Sequence, residues 1–157
     1  MHDKTQQTAQ DRPYAACLGL LRDAGLRPTC QRLALARHLF SGSADRHVTA
    51  EELHGEVTGS GVSLSLATVY NTLHQFCEAG LLRELVIEPG RTHYDTNTRP
   101  HHHFYYRGKG RLEDIPAGSI QISGLPDAPG GCRVVDTQLV VMLEDRRHAS
   151  TSPGGGE

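Results

Sequence analysis

The sequence lacks the short motifs by which many enzymes are identified. It contains no nucleophile elbow, no Walker phosphate loop, no HExxH zinc motif and no paired-carboxylate motif. A histidine beside a carboxylate could still act as an acid–base pair, but this is the weaker class of function. We therefore expect a binding protein that is not an enzyme.

Membrane-crossing and secretion signals are absent as well. No apolar run is long enough to cross a bilayer, and the polar N-terminus, MHDKTQQTAQDR, has no signal-peptide apolar region. The four cysteines, Cys17, Cys30, Cys77 and Cys132, form no CxxC pair, so neither a zinc ribbon nor a redox dithiol is indicated. We expect a cytoplasmic protein that does not contact membranes, with reduced thiols and with Cys17 and Cys77 in its core.

Positive charge is not in excess, because the formal net charge is −2 at pH 7. The basic residues are nevertheless unevenly spread. Arg22, Arg27, Arg32 and Arg37 fall within one short segment whose single acid is Asp23. A local basic patch of this kind can neutralise DNA phosphates while acids elsewhere balance the total charge.

The stretch Ser65–Gly80 has the pattern of one helix with two unlike faces. Ser65 is a favourable N-cap, and Gly80 suits the left-handed position after the last turn. Apolar residues at helical spacing should form the buried face: Leu66, Val69, Leu73, Phe76 and Cys77. Short, uncharged residues form the other face: Ser65, Thr68, Asn71, Thr72 and Gln75. These side chains suit base edges and phosphates in a DNA groove, although an ordinary polar surface helix is the alternative.

The segments around this helix favour the DNA-binding interpretation. Helical patterns precede it in PYAACLGLLRDA, RPTCQRLALARHLF and DRHVTAEELHGEV, the last with a capping box formed by Thr49 and Glu52. Two strands, LLRELVIE and RTHYDTN, follow it and meet at a Pro-Gly turn, as a wing would. We predict a winged helix-turn-helix domain over residues 12–95, after a disordered leader at residues 1–11.

The remaining sequence predicts a second, smaller domain. Residues 96–100, TNTRP, are predicted to be a hinge, and strands are expected at His103–Arg107, Arg111–Ile115 and Cys132–Asp145. A three-stranded sheet cannot bury both faces alone, so a second copy of the chain is the simplest cover. The predicted fold class is therefore α+β, with a small α/β dimerisation and ligand-sensing domain over residues 101–147. Residues 148–157 are predicted to be a disordered tail.

Three consecutive histidines open the first strand of that second domain. In an extended chain His101 and His103 point to one side and His102 to the other, with the two like-facing rings about 6–7 Å apart. Such a pair can share a metal ion or bracket a haem iron. Residues that could complete the site lie elsewhere in the sequence: His47, His93, Asp95, Glu113 and Asp114. The alternative is a solvent-exposed polar loop.

Several segments of the sequence together resemble a known family. The segments RPTCQRLALARHLF, DRHVTAEEL, SLATVYNTLHQFCEAGLL, the wing up to YDTN and the HHH run resemble the ferric uptake regulator family. The resemblance covers about Leu18 to Arg147. Within the family the chain looks most like the iron response regulator branch of alphaproteobacteria, through SLATVYNTLHQF, DTNT shortly before HHHF, the DIP segment and VVMLEDRR.

The resemblance implies a homodimeric, cytoplasmic transcriptional regulator of iron and haem homeostasis. In this branch the ligand is haem, which would bind the histidine run of His101, His102 and His103. The main alternative is a repressor that depends on Mn, Fe(II) or Zn, or that responds to peroxide. A haem- or metal-binding module without a DNA role is the competing class.

Individual residues carry these expectations. The DNA partner is expected to be an AT-rich operator, contacted by Arg27, Arg32, Thr68, Tyr70, Asn71 and Gln75. The regulatory metal positions implied by the resemblance are His47, Asp95, His101, His103 and Asp114, with Glu113 as an alternative to Asp114. Many family members also hold a structural zinc through CxxC pairs, and the lack of such pairs predicts that this chain has no structural zinc of that kind.

Overall fold

The computed structural model describes residues 7–145, with side chains from Pro13 onwards. The chain divides into two units between Thr98 and Arg99, inside the segment predicted to be a hinge. Most of the predicted leader and the whole predicted tail lie outside the described residues. Within residues 7–145, no helix is both long enough and apolar enough to span a membrane.

The first unit contains four helices and a small antiparallel sheet. Its elements in chain order are α1 (Gln7–Asp23), α2 (Cys30–Phe40), β1 (His47–Val48), α3 (Ala50–Gly59), α4 (Leu66–Glu78), β2 (Arg83–Glu88) and β3 (Arg91–Asp95). The strands lie in the order β1-β3-β2. This arrangement is the predicted winged helix-turn-helix architecture, with β2 and β3 forming the wing.

Each helix of the first unit contributes an apolar stripe to one core. The fully buried leucines are Leu21 of α1, Leu35 and Leu39 of α2, Leu53 of α3 and Leu73 of α4. Phe76 of α4 is also fully buried and lies against Phe40, with ring centroids 6.2 Å apart. Burying a leucine or phenylalanine side chain stabilises a fold by about 1.5–3 kcal/mol, so this shared core positions α4 on α2 and α3.

Three details of the first unit differ from the prediction. Helix α1 begins at Gln7, so residues 7–11 of the predicted leader are helical, because glutamine and alanine favour helix even ahead of Pro13. Thr72, which was expected on the exposed polar face of α4, is buried, with 5% of its surface exposed. Strand β1 was not predicted, because two residues are too few to show a strand pattern.

The second unit contains a three-stranded sheet. Its strands are β4 (His103–Tyr106), β5 (Arg111–Asp114) and β6 (Val140–Leu143), in the order β5-β4-β6. β4 pairs antiparallel with β5 and parallel with β6. Its few buried apolar side chains include Tyr105 and Leu112.

The predicted final strand is much shorter than expected. Only Val140–Leu143 pair with β4, and residues 132–139 form no strand in the described part of the chain. A strand exists only where a neighbour accepts and donates its backbone hydrogen bonds, and β4 offers four positions. The apolar residues ahead of β6 consequently remain exposed, Val134 at 53% and Val135 at 80%.

Candidate metal centre and nucleic-acid interface

The first unit brings one predicted pair of metal ligands together. His47 of β1 and Asp95 of β3 are directly opposite in the sheet, and His47 Nε2 lies 3.3 Å from Asp95 Oδ2. The Asp95 side chain is fully buried, and its Oδ1 accepts a hydrogen bond from the backbone N–H of Asn97 at 2.8 Å. That bond orients the carboxylate so that the other oxygen faces the imidazole.

The second unit brings three further predicted ligands together. His103 of β4 and Asp114 of β5 are opposite each other, with His103 Nε2 3.4 Å from Asp114 Oδ1. His101 Nε2 lies 3.0 Å from the same oxygen, and the two imidazole centroids are 4.3 Å apart. Hydrogen bonding along the sheet therefore gathers two imidazoles and one carboxylate.

The partners of the ring nitrogens distinguish the three histidines. His101 Nδ1 lies 2.6 Å from the carbonyl oxygen of Arg99, which can only accept, so Nδ1 carries the proton and Nε2 has the lone pair. His102 Nδ1 instead accepts from the backbone N–H of Leu139 at 3.2 Å, which leaves the proton on its Nε2. In these tautomers Nε2 of His101 is able to bind a metal and Nε2 of His102 is not.

His103 also has a partner behind its ligand atom. Its Nδ1 lies 3.1 Å from the side-chain amide of Gln138. An amide can donate through nitrogen or accept through oxygen, so Gln138 can accept a hydrogen bond from the Nδ1–H group when Nε2 binds a metal. Gln138 was not predicted from the sequence, because no local pattern connects it to β4.

The spacing within both groups fits a divalent cation. Two ligand atoms each about 2.1 Å from an ion, at angles of about 90–110°, are about 3.0–3.4 Å apart. The observed separations are 3.3 Å in the first unit, and 3.0 and 3.4 Å in the second. Imidazole with carboxylate suits Mn, Fe(II) and Zn.

Glu113 and His93 are not part of these groups. Glu113 is half exposed, and its carboxylate accepts from Arg111 at 3.0 Å and from the Tyr106 hydroxyl at 3.1 Å. Adjacent residues of a strand point to opposite faces, so Glu113 faces away from the side that Asp114 occupies. His93 is buried in β3, outside the residues that group as possible metal ligands.

Four of the predicted DNA-contact residues belong to α4, whereas Arg32 belongs to α2 and Arg27 precedes it. Ser65 caps the helix by accepting from the backbone N–H of Thr68 at 3.1 Å. A shallow groove beside α4 is lined by residues of that helix and of the start of α2: Thr29, Gln31, Arg32, Thr68, Asn71, Thr72 and Gln75. Asn71 is exposed at its outer edge, and Arg27 is exposed just before α2.

Arg32 joins the two helices at this groove. Its Nε and Nη2 both donate to Gln75 Oε1, at 3.2 and 2.7 Å, and its Nη1 donates to the carbonyl oxygen of Arg27 at 2.7 Å. Arg32 therefore supports the groove from inside, in addition to the phosphate role predicted from the sequence.

Tyr70 lies on the opposite flank of α4 and is 40% exposed. Its hydroxyl donates to Glu51 Oε1 at 2.6 Å, so an acid of α3 holds the ring in place. This hydrogen bond lowers the pKa of Glu51 and raises the pKa of Tyr70, because it favours the carboxylate and the protonated phenol. No sequence pattern indicated this role for Glu51, which has the ordinary position of an acid in a first helical turn.

Comparisons with known proteins identify the family. The family model described as "Ferric uptake regulator family" matches residues 23–140. The chain is 35% identical over 95 residues to the "Peroxide-responsive repressor PerR" of Staphylococcus aureus (strain Mu50 / ATCC 700699), a stretch that covers 60% of this chain and 63% of that protein. The protein of the same name from Staphylococcus epidermidis (strain ATCC 12228 / FDA PCI 1200) is 33% identical over 105 residues, covering 67% and 69%.

Solved structures share the fold. The ferric uptake regulator from Pseudomonas aeruginosa with manganese aligns with a TM-score of 0.60 at 24% identity, covering 82% of this chain and 97% of that one. The Vibrio cholerae ferric uptake regulator aligns with a TM-score of 0.62 at 23% identity, covering 82% and 98%. Both share with this chain the fold of a winged helix followed by a small α/β unit.

Proposed function

Since the chain belongs to the ferric uptake regulator family, we propose that it is a metal-responsive transcriptional regulator that binds operator DNA as a homodimer. Members of this family are transcriptional regulators and not enzymes. The polar groove and exposed Asn71 on α4 support a DNA-reading role, with an AT-rich operator as the expected partner and the cytoplasm as the expected location.

The observation that carries the proposal is the pairing of histidine with aspartate across neighbouring strands. We assign the binding of a divalent ion, Mn, Fe(II) or Zn, to the residues that the family resemblance implies as ligands: His47 and Asp95 in the first unit, and His101, His103 and Asp114 in the second. The donor types and the spacing within each unit support this assignment. When bound, such an ion would supply positive charge to neutralise the carboxylates of Asp95 and Asp114.

A peroxide response is the second candidate, favoured by the names of the relatives that are 35% and 33% identical. When bound, Fe(II) would supply the redox reactivity. A cysteine thiolate is the other usual reactant, but burial raises the pKa of the Cys77 thiol to about 11, so it stays protonated at neutral pH. This protonation favours the metal centre over Cys77 as the reactive group.

Haem sensing through the histidine run, and with it the iron response regulator branch, has weaker support. The three imidazoles do not present a common ligating face. His103 is fully buried, and His102 uses the ring nitrogen Nδ1 as an acceptor for the backbone of Leu139. Haem binding would require these contacts to change.

A titration tests the metal assignment and separates it from haem. The full chain is titrated with Mn(II), Fe(II), Zn(II) and haem, and each mixture is assayed for binding to AT-rich duplexes. Asp114→Ala should lower the affinity for divalent metal ions by about tenfold to a hundredfold. Glu113→Ala is the matched control and should bind metal as the wild type does, because Glu113 contacts Arg111 and Tyr106 instead.

Other outcomes of this titration would contradict parts of the proposal. Wild-type metal affinity in Asp114→Ala would remove that residue from the site. The haem branch would be favoured if haem binds the wild type but not the triple alanine variant of His101–His103. It would also require that haem, and none of the metal ions, changes DNA binding. No salt-sensitive DNA binding under any condition would favour a metal-binding module without a DNA role.

A further inference from the structure

The guanidinium group of Arg32 holds the side-chain amide of Gln75 in one orientation. Two of its nitrogens donate to a single amide oxygen, at 3.2 and 2.7 Å. Arginine has only donors and stays charged at any physiological pH, so the oxygen of the amide must be the end that faces it. The remaining guanidinium nitrogen, Nη1, is held by the carbonyl oxygen of Arg27 at 2.7 Å, which restrains the whole group.

The orientation decides which hydrogen-bonding group Gln75 offers to DNA. Because Oε1 of Gln75 faces Arg32, the amide nitrogen of Gln75 points away from Arg32. This nitrogen donates to no acceptor in the part of the chain that the structure describes. Gln75 is half-buried and lines the groove that also contains Thr68 and Asn71. A base edge that reaches Gln75 in this groove would therefore meet its N–H donor and not its oxygen.

We propose that Gln75 selects a keto base, guanine or thymine, over adenine or cytosine at one operator position, and that Arg32 is the positioning residue that imposes this choice. This inference rests on the proposed DNA-binding function. In the major groove guanine and thymine present the acceptors O6 and O4, where adenine and cytosine present amino donors. The usual glutamine–adenine pair needs both ends of the amide, and here Arg32 occupies one of them.

Base selection by matched variants tests this assignment. The full chain, supplied with Mn(II), is used to enrich duplexes from a randomised library, and the selected motifs are compared. The wild type should prefer a keto base by about three- to tenfold at the position whose preference disappears in Gln75→Ala. Gln75→Glu keeps an acceptor for Arg32 but replaces the outward N–H donor with an oxygen, so it should reverse the preference to adenine or cytosine at that position alone.

Arg32→Met tests the positioning role. Without the guanidinium group the amide can turn, so adenine should become acceptable at the Gln75 position while the rest of the motif stays as in the wild type. A merely structural role for Arg32 would lower affinity without changing one position. Asn71→Ala is the control and should alter a different position, and circular dichroism verifies that each variant is folded.

The outcomes separate this inference from the function on which it rests. A wild-type motif that Gln75→Glu leaves unchanged would overturn the inference and leave sequence-specific DNA binding intact. A wild-type preference for adenine or cytosine at the Gln75 position would overturn it in the same way. Failure of the wild type to enrich any motif would overturn the DNA-binding function and the inference together.

Discussion

The three consecutive histidines have different hydrogen-bond partners in this protein. His101 donates from Nδ1 to a backbone carbonyl, His102 accepts at Nδ1 from a backbone N–H, and His103 contacts the Gln138 amide. The position of the ring proton follows from the partner, so only the partners reveal which nitrogen can bind a metal. The three histidines therefore have two chemical roles: Nε2 of His101 and of His103 is available to bind a metal, whereas Nε2 of His102 carries the proton.

Glu51 has two opposed effects on DNA binding at the residue scale. Its carboxylate orients Tyr70 through the 2.6 Å hydrogen bond, and it also places a negative charge beside α4. Glu51→Gln should raise DNA affinity by about two- to threefold at low salt, because the charge is removed while the amide oxygen still accepts from Tyr70. Salt titrations of DNA binding measure this gain, which should disappear at high ionic strength.

A matched charge change elsewhere provides the control for Glu51→Gln. Glu144 follows β6 in the other unit and is largely exposed beside Arg107, at 3.5 Å. Glu144→Gln should leave DNA affinity unchanged at every salt concentration. Equal affinities of Glu51→Gln and wild type at low salt would contradict a charge effect at α4.

At the scale of elements, the caps of the helices determine where α3 and α4 begin. Thr49 Oγ1 accepts from the Glu52 backbone at 3.2 Å, and the Glu52 side chain accepts from the Thr49 backbone at 2.8 Å. The reciprocal pair fixes the start of α3 directly after β1, which carries His47. Helix capping and placement of a candidate metal ligand are therefore linked in adjacent residues.

Thr49→Ala should destabilise the first unit by about 1 kcal/mol, because one amide of the first helical turn loses its acceptor. Thr49→Ser retains the hydroxyl and should lose much less stability. Urea unfolding followed by far-ultraviolet circular dichroism measures both variants. Equal midpoints for the alanine and serine variants would show that the hydroxyl does not contribute.

At the scale of the whole molecule, apolar side chains of the second unit remain exposed. Val135 is 80% exposed, Met142 41% and Leu139 39%, all in or just before the edge strand β6. An exposed apolar surface beside an unpaired strand edge suits association with another chain. These residues support the proposed homodimer.

Val135→Lys should weaken dimerisation by at least about tenfold, because a charged side chain is costly to bury in an apolar interface. Val86→Lys is the matched control: Val86 is a valine with 65% exposure in the wing of the other unit, and its change should leave dimerisation unaffected. Sedimentation velocity over a concentration series measures both. A wild type that stays monomeric would contradict the homodimer itself.

Local patterns predicted the helical elements well. The capping box at Thr49, the cap at Ser65 and the apolar spacing from Val69 to Phe76 are short-range properties, and the structure confirms all of them. The predicted strand at 132–145 was wrong over most of its length, because an apolar run does not reveal whether a partner strand is present.

By itself, the sequence determined the fold class, the order of the elements apart from β1, and the types of residue available for metal and DNA binding. Only the tertiary structure decided the strand register that sets His47 opposite Asp95 and His103 opposite Asp114. It also decided the contact between Arg32 and Gln75, which are 43 positions apart. Helix periodicity and capping act over three or four residues, so they can be read from the chain, whereas pairing and packing depend on contacts between distant segments.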